Sequence, residues 1–196
     1  MTTPLNDQAL NKLFREARSF NAYLDKPVEE SQLHDIWNLM KFGPTSANCL
    51  PARIIWCKSD AAKQKLAALA MPSNGEKIIS APVTAIIGMD LEFYEQLPEL
   101  FPHADARSWF AGNDVLIEKT AFRNSSLQGA YFMLAARALG LDTGPMSGFD
   151  NNAVDAAFFA GTKVQSNFIC TLGYGDTSSI FDRSPRPGFE RFNTIA

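Results

Sequence analysis

The chain has 196 residues, of which 46% are hydrophobic and 20% are charged, and its formal net charge is −3. This length and composition predict one globular domain over residues 1–196 with an ordinary buried core. The sequence has no basic block for nucleic acid, and it opens with no signal-like segment and has no apolar run of bilayer length. We therefore expect a cytoplasmic protein with neither nucleic acid nor membrane as a partner.

Helical patterns dominate the first 50 residues. Asn6 or Asp7 is suited to cap a first helix, because its side chain accepts a hydrogen bond from a free backbone N–H group. A second helix follows Pro27 and ends at Gly43. Its apolar stripe recurs at positions i, i+3, i+4 and i+7 and consists of Leu33, Ile36, Trp37 and Met40. We expect His34, beside this stripe, to face solvent.

Two buried apolar strands are predicted next, over residues 53–57 and 83–89. The sequence between them predicts a capped helix over residues 61–70. Residues 71–75 combine proline, serine, asparagine and glycine, which is typical of a turn.

One long helix, predicted from residue 114 to Gly140, dominates the second half. Residues 127–136 are apolar on nearly all sides, which predicts burial at the centre of the domain or in a subunit interface. Residues 91–112 show no clear period, and a segment of that length is often a lid or a binding loop. A strand and turn are predicted over residues 141–149, followed by a short helix over residues 151–160. A third strand is predicted over residues 168–174, and the tail, residues 178–196, has no clear period.

The loop over residues 43–53 carries more polar groups than a helix-to-strand connection requires. Thr45, Ser46 and Asn48 offer side-chain hydrogen-bonding groups, and two prolines and a glycine leave backbone N–H groups free. Such a loop suits a polar, planar or phosphorylated ligand. A turn whose polar groups satisfy one another explains the composition equally well.

Residues for metal or covalent chemistry are sparse. The two histidines cannot form a zinc cluster, so no metal site is expected. Cys49, Cys57 and Cys170 are too scattered for a disulfide framework, and Ser147 misses the spacing of a hydrolase nucleophile by one residue. Asn124-Ser125-Ser126 matches a glycosylation sequon by chance. If the protein is an enzyme, an organic cofactor would supply the missing chemistry.

Four separated stretches together resemble one family. They are Arg18-Ser19-x-Asn21-x-Tyr23, Pro44-Thr45-Ser46-Ala47-Asn48, Asn74-x-x-Lys77 and Gly144-Pro145-Met146-Ser147-Gly148-Phe149. In this order they resemble the FMN-dependent nitroreductase family over essentially the whole chain. The resemblance implies an α+β sandwich, in which helices flank a small mixed or antiparallel sheet. It also implies an intertwined homodimer whose residues 178–196 extend over the partner subunit.

The resemblance implies cofactor-binding residues at both ends of a tightly bound FMN. Arg18 and Ser19 match the segment that binds the phosphate and ribityl chain, with Asn21 where the family often has a second cation. Arg186 matches a phosphate-binding arginine, and Arg183 is expected to assist it in binding the phosphate. Asn74 and Lys77 match groups at the pyrimidine end of the flavin. The segment that approaches flavin N5 is matched by Pro145, Met146, Ser147 and Gly148. The loop contributed by the second subunit is matched by Pro44, Thr45, Ser46 and Asn48.

The reaction implied is transfer of hydride from NADH or NADPH through FMN to a small aldehyde. Residues 41–54, 100–110 and 140–150 are most similar to the malonic semialdehyde reductases of pyrimidine (uracil) degradation, whose product is 3-hydroxypropionate. A substrate of that kind carries a carboxylate, for which a cation near the flavin is expected.

The irregular segment offers the candidates for the substrate pocket. Arg107 is suited to hold the carboxylate, His103 to donate a proton to the developing alkoxide, and Trp109 to form a wall of the pocket. The alternatives are an ion pair of Arg107 with Asp105 or Asp114 and a structural hydrogen bond for His103. Two other functions remain open: a broad reductase of nitroaromatics, quinones or enones, and a non-catalytic FMN-binding protein.

Overall fold

The computed structural model describes residues 3–196. Its strands are β1 (Ala52–Cys57), β2 (Val83–Asp90), β3 (Asp142–Met146) and β4 (Val164–Gly173). Its helices are α1 (Asp7–Leu10), α2 (Glu30–Met40), α3 (Asp60–Ala67), α4 (Pro72–Ser80), α5 (Leu97–Leu100), α6 (Asp114–Ala138) and α7 (Asn151–Phe158). A π-helical turn, Asn11–Arg15, continues α1. Short 3-10 turns are formed by Ser46–Asn48, Phe93–Gln96, Ala106–Trp109, Thr177–Ser179 and Phe189–Arg191.

The four strands form one antiparallel sheet in the order β1-β2-β4-β3. All eight residues of β2 are buried, as expected for a central strand covered on both faces. Beyond β3, the extended segment that begins at Ser19 runs along the sheet edge, where the Phe20 N–H group donates to the Thr143 carbonyl at 3.1 Å. The α+β sandwich with a small antiparallel sheet is therefore confirmed.

Helices cover both faces of the sheet. On one face α2 and α6 pack through Ile36, Met40 and Phe132 against strand residues such as Ile87 and Leu172. On the other face α3, α4 and α7 pack their own apolar residues, Leu66, Ile78 and Val154, against Ile86 and Ile169. Because successive strand residues point to opposite faces, neighbouring β2 residues serve the two cores.

Residues 91–112 are anchored at their apolar positions. Phe93, Leu97 and Phe110 are buried in a third cluster together with Cys49 and with Ile117 of α6. The segment forms two 3-10 turns and α5, each too short to show a helical period in the sequence. The predicted irregularity therefore corresponds to three short helical turns packed on the domain.

Two predictions about local structure are wrong. Residues 72–75 form the first turn of α4, with Met71 as its N-cap, because Pro72 occupies a position where its missing N–H group has no cost. The third strand begins at Val164, before the predicted residue 168, because the polar Ser166 side chain is satisfied by Asn151. The long helix is confirmed as Asp114–Ala138, followed by Gly140 at a φ of 85°.

Residues 181–196 are exposed in the protomer. The tail nevertheless carries large apolar side chains, among which Phe192 is 71% and Ile195 is 87% exposed. Within residues 127–136, Leu127 is 40% exposed, and Phe122 earlier in α6 is 54% exposed, so this helix is not buried on all sides within one protomer. Within residues 3–196, no helix is long and apolar enough to cross a bilayer.

Candidate functional site

Four arginines from three parts of the chain line one cavity of about 520 Å³, which we call the arginine cavity. They are Arg18 after the first helical segment, Arg137 in the last turn of α6, and Arg183 and Arg186 in the tail. Ser19 and Asn21 contribute hydrogen-bonding groups to the same cavity. The structure therefore brings together all five residues that were predicted for the phosphate end of a cofactor.

Backbone carbonyls hold the guanidinium groups of this cavity in place. Arg18 donates to the Phe181 carbonyl, and Arg183 Nη2 donates to the Ala17 carbonyl at 2.9 Å. These two bonds tie the tail to residues 17–18, next to the segment that pairs with β3. Arg137 Nη1 donates to the Leu13 carbonyl at 3.0 Å, and Arg186 Nη1 donates to the carbonyls of Ser184 and Pro185.

The arginine cavity has a surplus of positive charge. Among the described residues, none of its four arginines forms a salt bridge, and Asp182 is the one acidic residue in its lining. Each guanidinium retains N–H donors that its backbone carbonyl does not use. Several forked donors around one concave space are suited to an anion with several oxygens, such as a phosphate group.

A second predicted group assembles beyond the other end of β3. Pro145 and Met146 end this strand, and Asn74 Nδ2 of α4 donates to the Gly148 carbonyl at 3.0 Å. A Cβ atom at position 148 would lie 2.7 Å from Asn74 Nδ2, so only glycine permits this contact. Lys77 follows Asn74 by three residues and lies on the same side of α4.

β3 connects these two groups. Its residue Thr143 pairs with Ser19 at the arginine cavity, and Gly148 lies five residues further along the chain. An extended segment of five residues spans about 16 Å. The path beside β3 is therefore long enough for an elongated ligand, with its anionic end among the arginines and its other end near Asn74.

The polar loop, residues 43–51, lies at the opposite edge of the sheet. It leads into β1, which is separated from β3 by two strands, or about 14 Å of strand spacing. Within one protomer, the structure therefore does not bring Pro44, Thr45, Ser46 and Asn48 to the other predicted site residues.

Side chains of α6 hold the polar loop in an unusual conformation. Asn124 Oδ1 accepts from Ser46 N–H at 2.8 Å, Gln128 Oε1 accepts from Ala52 N–H at 2.8 Å, and the Tyr131 hydroxyl donates to the Pro44 carbonyl at 2.9 Å. Ala47, Asn48 and Leu50 have φ angles of 49°, 52° and 37°, which side-chain-bearing residues rarely adopt. Such strain is typical of functional sites.

The substrate-pocket candidates lie close to this loop. Asn48 Nδ2 donates to the Leu100 carbonyl at 2.9 Å, which ties the loop to residues 91–112. His103 and Trp109 both contact the Phe101 ring, at centroid distances of 5.4 and 6.0 Å. All of these side chains except that of Phe101 are exposed in the protomer.

Arg107 pairs with neither of the acidic residues named as alternatives. Its Nε and Nη2 atoms both donate at 2.7 Å to the carboxylate of Glu95. These hydrogen bonds hold the pKa of Glu95 below its ordinary value and raise that of Arg107. The Nη1 edge of the guanidinium remains available for a second anion.

Two groups of residues were missed in the sequence. Arg137 is the one cation in the apolar second half of α6, at positions 127–138, and this isolation is a usable signal. Asn124, Gln128 and Tyr131 recur at positions i, i+4 and i+7, which places them on one helix face. Asn124 is fully buried, so the sequon it begins is not a glycosylation site in this fold.

Comparison with known proteins gives the family. Residues 14–175 match the sequence model of the nitroreductase family. The chain belongs to the nitroreductase family. A Burkholderia lata protein, provisionally named NADH dehydrogenase/NAD(P)H nitroreductase, is 62% identical over 188 residues, which cover 96% of each chain. The similarly named HadB of Ralstonia pickettii is 58% identical over 191 residues, covering 96% of this chain and 97% of the relative.

A solved structure with the same fold carries a cofactor. The nitroreductase-like protein of Exiguobacterium sibiricum, solved in complex with FMN, has a TM-score of 0.85 and covers 100% of both chains. At 18% identity, this similarity establishes the shared fold. The four stretches that suggested the nitroreductase family therefore led to the correct family and the correct architecture.

Proposed function

We propose that this nitroreductase is an NAD(P)H-dependent FMN oxidoreductase of a small aldehyde, and that malonic semialdehyde is its substrate. The observation that carries the cofactor assignment is the arginine cavity, a concave site with four guanidinium groups and no paired carboxylate among the described residues. It suits the phosphate of FMN in charge and in geometry. The names of the relatives support NADH or NADPH as the electron donor.

The residues along β3 fit the rest of the cofactor. Ser19 and Asn21 would bind the phosphate and the ribityl hydroxyls, because they line the same cavity as the arginines. Asn74 and Lys77 would face the pyrimidine of the flavin, and residues 145–148 would approach its central ring. Gly148 permits this approach because it has no Cβ atom. When bound, FMN supplies the redox chemistry that the protein side chains lack.

Lys77 and Asn74 would also affect the reduction potential. A cation and an amide donor near the pyrimidine favour the electron-rich form of the ring electrostatically. Asn74 is held in place by its bond to Gly148, so its orientation needs no rearrangement when the cofactor binds.

A complete site would need two copies of the chain. The polar loop and residues 91–112 are joined by the Asn48–Leu100 bond and lie at the sheet edge away from β3. In a homodimer they would cover the flavin that the partner holds in its own arginine cavity. The exposed Phe122 of α6 and the apolar tail, residues 178–196, supply surface for such an interface.

The aldehyde would lie between the flavin and residues 91–112. The free Nη1 edge of Arg107 would bind the substrate carboxylate, His103 would donate a proton to the developing alkoxide, and Trp109 would exclude water. Replacing Arg107 by Ala should raise the KM for malonic semialdehyde about tenfold while FMN stays bound. An unchanged KM would remove Arg107 from this role.

A broad reductase of nitroaromatics, quinones or enones is the second candidate. It is favoured by the Glu95 carboxylate, which neutralises Arg107 in the protomer and would oppose a second carboxylate. The names of the relatives point the same way. Turnover of NADPH and NADH on malonic semialdehyde and on a nitroaromatic, compared at equal enzyme concentration, distinguishes the two candidates.

The absorption spectrum tests the flavin assignment itself. The purified protein should be yellow, and anaerobic addition of NADH or NADPH should bleach it. A colourless protein that cannot be loaded with FMN would refute the assignment. A yellow protein that neither nucleotide bleaches would be a non-catalytic flavin-binding protein.

A further inference from the structure

We propose that Arg137 is a phosphate-binding residue of the cofactor site and a main source of discrimination between FMN and riboflavin. The inference rests on the proposed function, because it takes the arginine cavity as the place of the FMN phosphate. It adds a fourth cation from α6, an element for which neither the sequence patterns nor the family resemblance predicted contact with the phosphate.

The position of Arg137 is fixed by α6. The residue lies in the last turn of this 25-residue helix, and its Nη1 atom donates to the Leu13 carbonyl at 3.0 Å. Its Nε–H group is buried and has no hydrogen-bond partner. Because Nε itself is shielded from the cavity, the donors that an anion there can reach are the Nη hydrogens that the Leu13 carbonyl does not use.

Arg137 forms no salt bridge among the described residues, although Asp142 lies near enough to influence its pKa. Burial lowers the pKa of its guanidinium, nearby Arg183 lowers it further, and Cys170 and Asp142 oppose the shift. Arg137 lies at the C-terminal end of α6, where the partial negative charge of the helix dipole stabilises a cation. The same negative charge would repel an anion, so an anion near this helix end needs the charge of Arg137. A dianion in the arginine cavity would relieve the repulsion between Arg137 and Arg183.

The number of donors favours phosphate over carboxylate as the anion. One guanidinium already engages both oxygens of a carboxylate in a two-bond fork, as Glu95 and Arg107 show at the other edge of the sheet. Four guanidinium groups and the hydroxyls of Ser19 and Ser184 line the arginine cavity. A phosphate monoester has three terminal oxygens and about two negative charges, so it can use donors from several sides.

Flavin titration of the apoprotein tests the proposal. FMN and riboflavin share the ring and the ribityl chain, so the ratio of their Kd values isolates the phosphate. Arg137→Gln should weaken FMN binding about 10- to 100-fold, as expected for loss of a charge-assisted hydrogen bond, and change riboflavin binding less than about twofold. Inorganic phosphate should raise the Tm of the wild-type apoprotein more than that of Arg137→Gln.

Two further variants separate charge loss from misfolding. Arg15→Gln is the matched control, since Arg15 lies in the same helical turn as Leu13, the residue that Arg137 bonds, and pairs with Asp7 at the surface. It should leave both flavin affinities within about twofold, because exposed ion pairs contribute little. Arg137→Lys keeps the charge and should restore part of the FMN affinity.

The outcomes separate this inference from the proposed function. Suppose that the wild type binds FMN more tightly than riboflavin. If Arg137→Gln then weakened the binding of both flavins equally, or of neither, the role of Arg137 would be overturned and the phosphate site would stand. A wild type that binds the two flavins equally well would refute the phosphate site altogether. A wild type that binds neither flavin would refute the proposed function.

Discussion

At the scale of single residues, close contacts and burial decide what each position can do. Gly148 and Asn74 were predicted from separate stretches, and the structure joins them through one hydrogen bond. Arg107 was expected near Asp105 or Asp114 if it had only a structural role, yet its partner is Glu95, twelve residues earlier. A sequence shows which residues can pair, but the folded chain selects among several acidic neighbours.

Gly148→Ala should weaken FMN binding. The new Cβ atom would lie 2.7 Å from Asn74 Nδ2 and from Met71 Sδ, so the Asn74 amide must move away from the pyrimidine site. We expect about a tenfold higher Kd for FMN, measured by fluorescence quenching, from loss of about one hydrogen bond. Gly188→Ala is the control, since a Cβ there meets nothing within 4 Å. Equal Kd values for both variants would contradict the assignment of Asn74.

The three cysteines should be unreactive in the native protein. Burial raises the pKa of Cys49 and Cys57 to about 11 and that of Cys170 to about 12. At pH 8, a thiol with a pKa of 11 is about 0.1% thiolate, and the thiolate is the form that reacts. Ellman's reagent should therefore label no thiol within minutes at pH 8 and all three in guanidinium chloride. A fast native reaction that Cys49→Ser abolishes would show that the polar loop opens.

At the scale of elements, α6 serves three purposes, each through residues on a different face or at a different position along the helix. Its apolar residues, such as Phe132, pack against the sheet, its polar residues hold the loop, and Arg137 lines the arginine cavity. The apolar pattern correctly predicted the length of the helix. It did not reveal that Asn124 bonds the polar loop and Gln128 the first residue of β1, because the partner backbone groups are 78 and 76 residues away.

Gln128→Met should loosen the polar loop without disrupting α6. The change keeps the shape of the side chain but leaves the buried Ala52 N–H group without its acceptor. We expect a loss of about 1–3 kcal/mol in the free energy of unfolding, measured in urea, together with faster loss of FMN. Lys119→Gln, an exposed change on the same helix, should alter neither quantity. A variant as stable as the wild type would show that the loop is held by other contacts.

At the scale of the whole molecule, one protomer holds the two halves of the proposed site at opposite edges of its sheet. The arginine cavity and Gly148 lie along β3, and the polar loop leads into β1. Exposed apolar groups remain on α6 and in residues 181–196. A homodimer would bring the two halves together and bury these groups.

Phe122→Asp should therefore both dissociate the dimer and weaken FMN binding. Phe122 is exposed on α6 in the protomer, and a carboxylate there would have to lose its hydration to enter an apolar interface. Sedimentation velocity should show a dimer for the wild type and a monomer for the variant, with at least a tenfold loss of FMN affinity. The control is Leu39→Asp, which is 48% exposed on α2 and tests whether a charge at any exposed apolar position has this effect. A monomeric wild type with FMN bound would contradict the proposed two-chain site.

The sequence by itself determined the family, the α+β class and the residues that can bind an anion or a flat ring. These depend on local chemistry: helical periods, glycine and proline positions, and side chains such as Arg18 and Asn74 that carry the needed groups wherever they lie. Only the tertiary structure decided which of them meet. It joined Arg18, Arg137 and Arg183 in one cavity, joined Asn74 to Gly148, and moved the polar loop to the far edge of the sheet. Such meetings depend on strand order and on contacts between residues far apart in the chain, which no local pattern encodes.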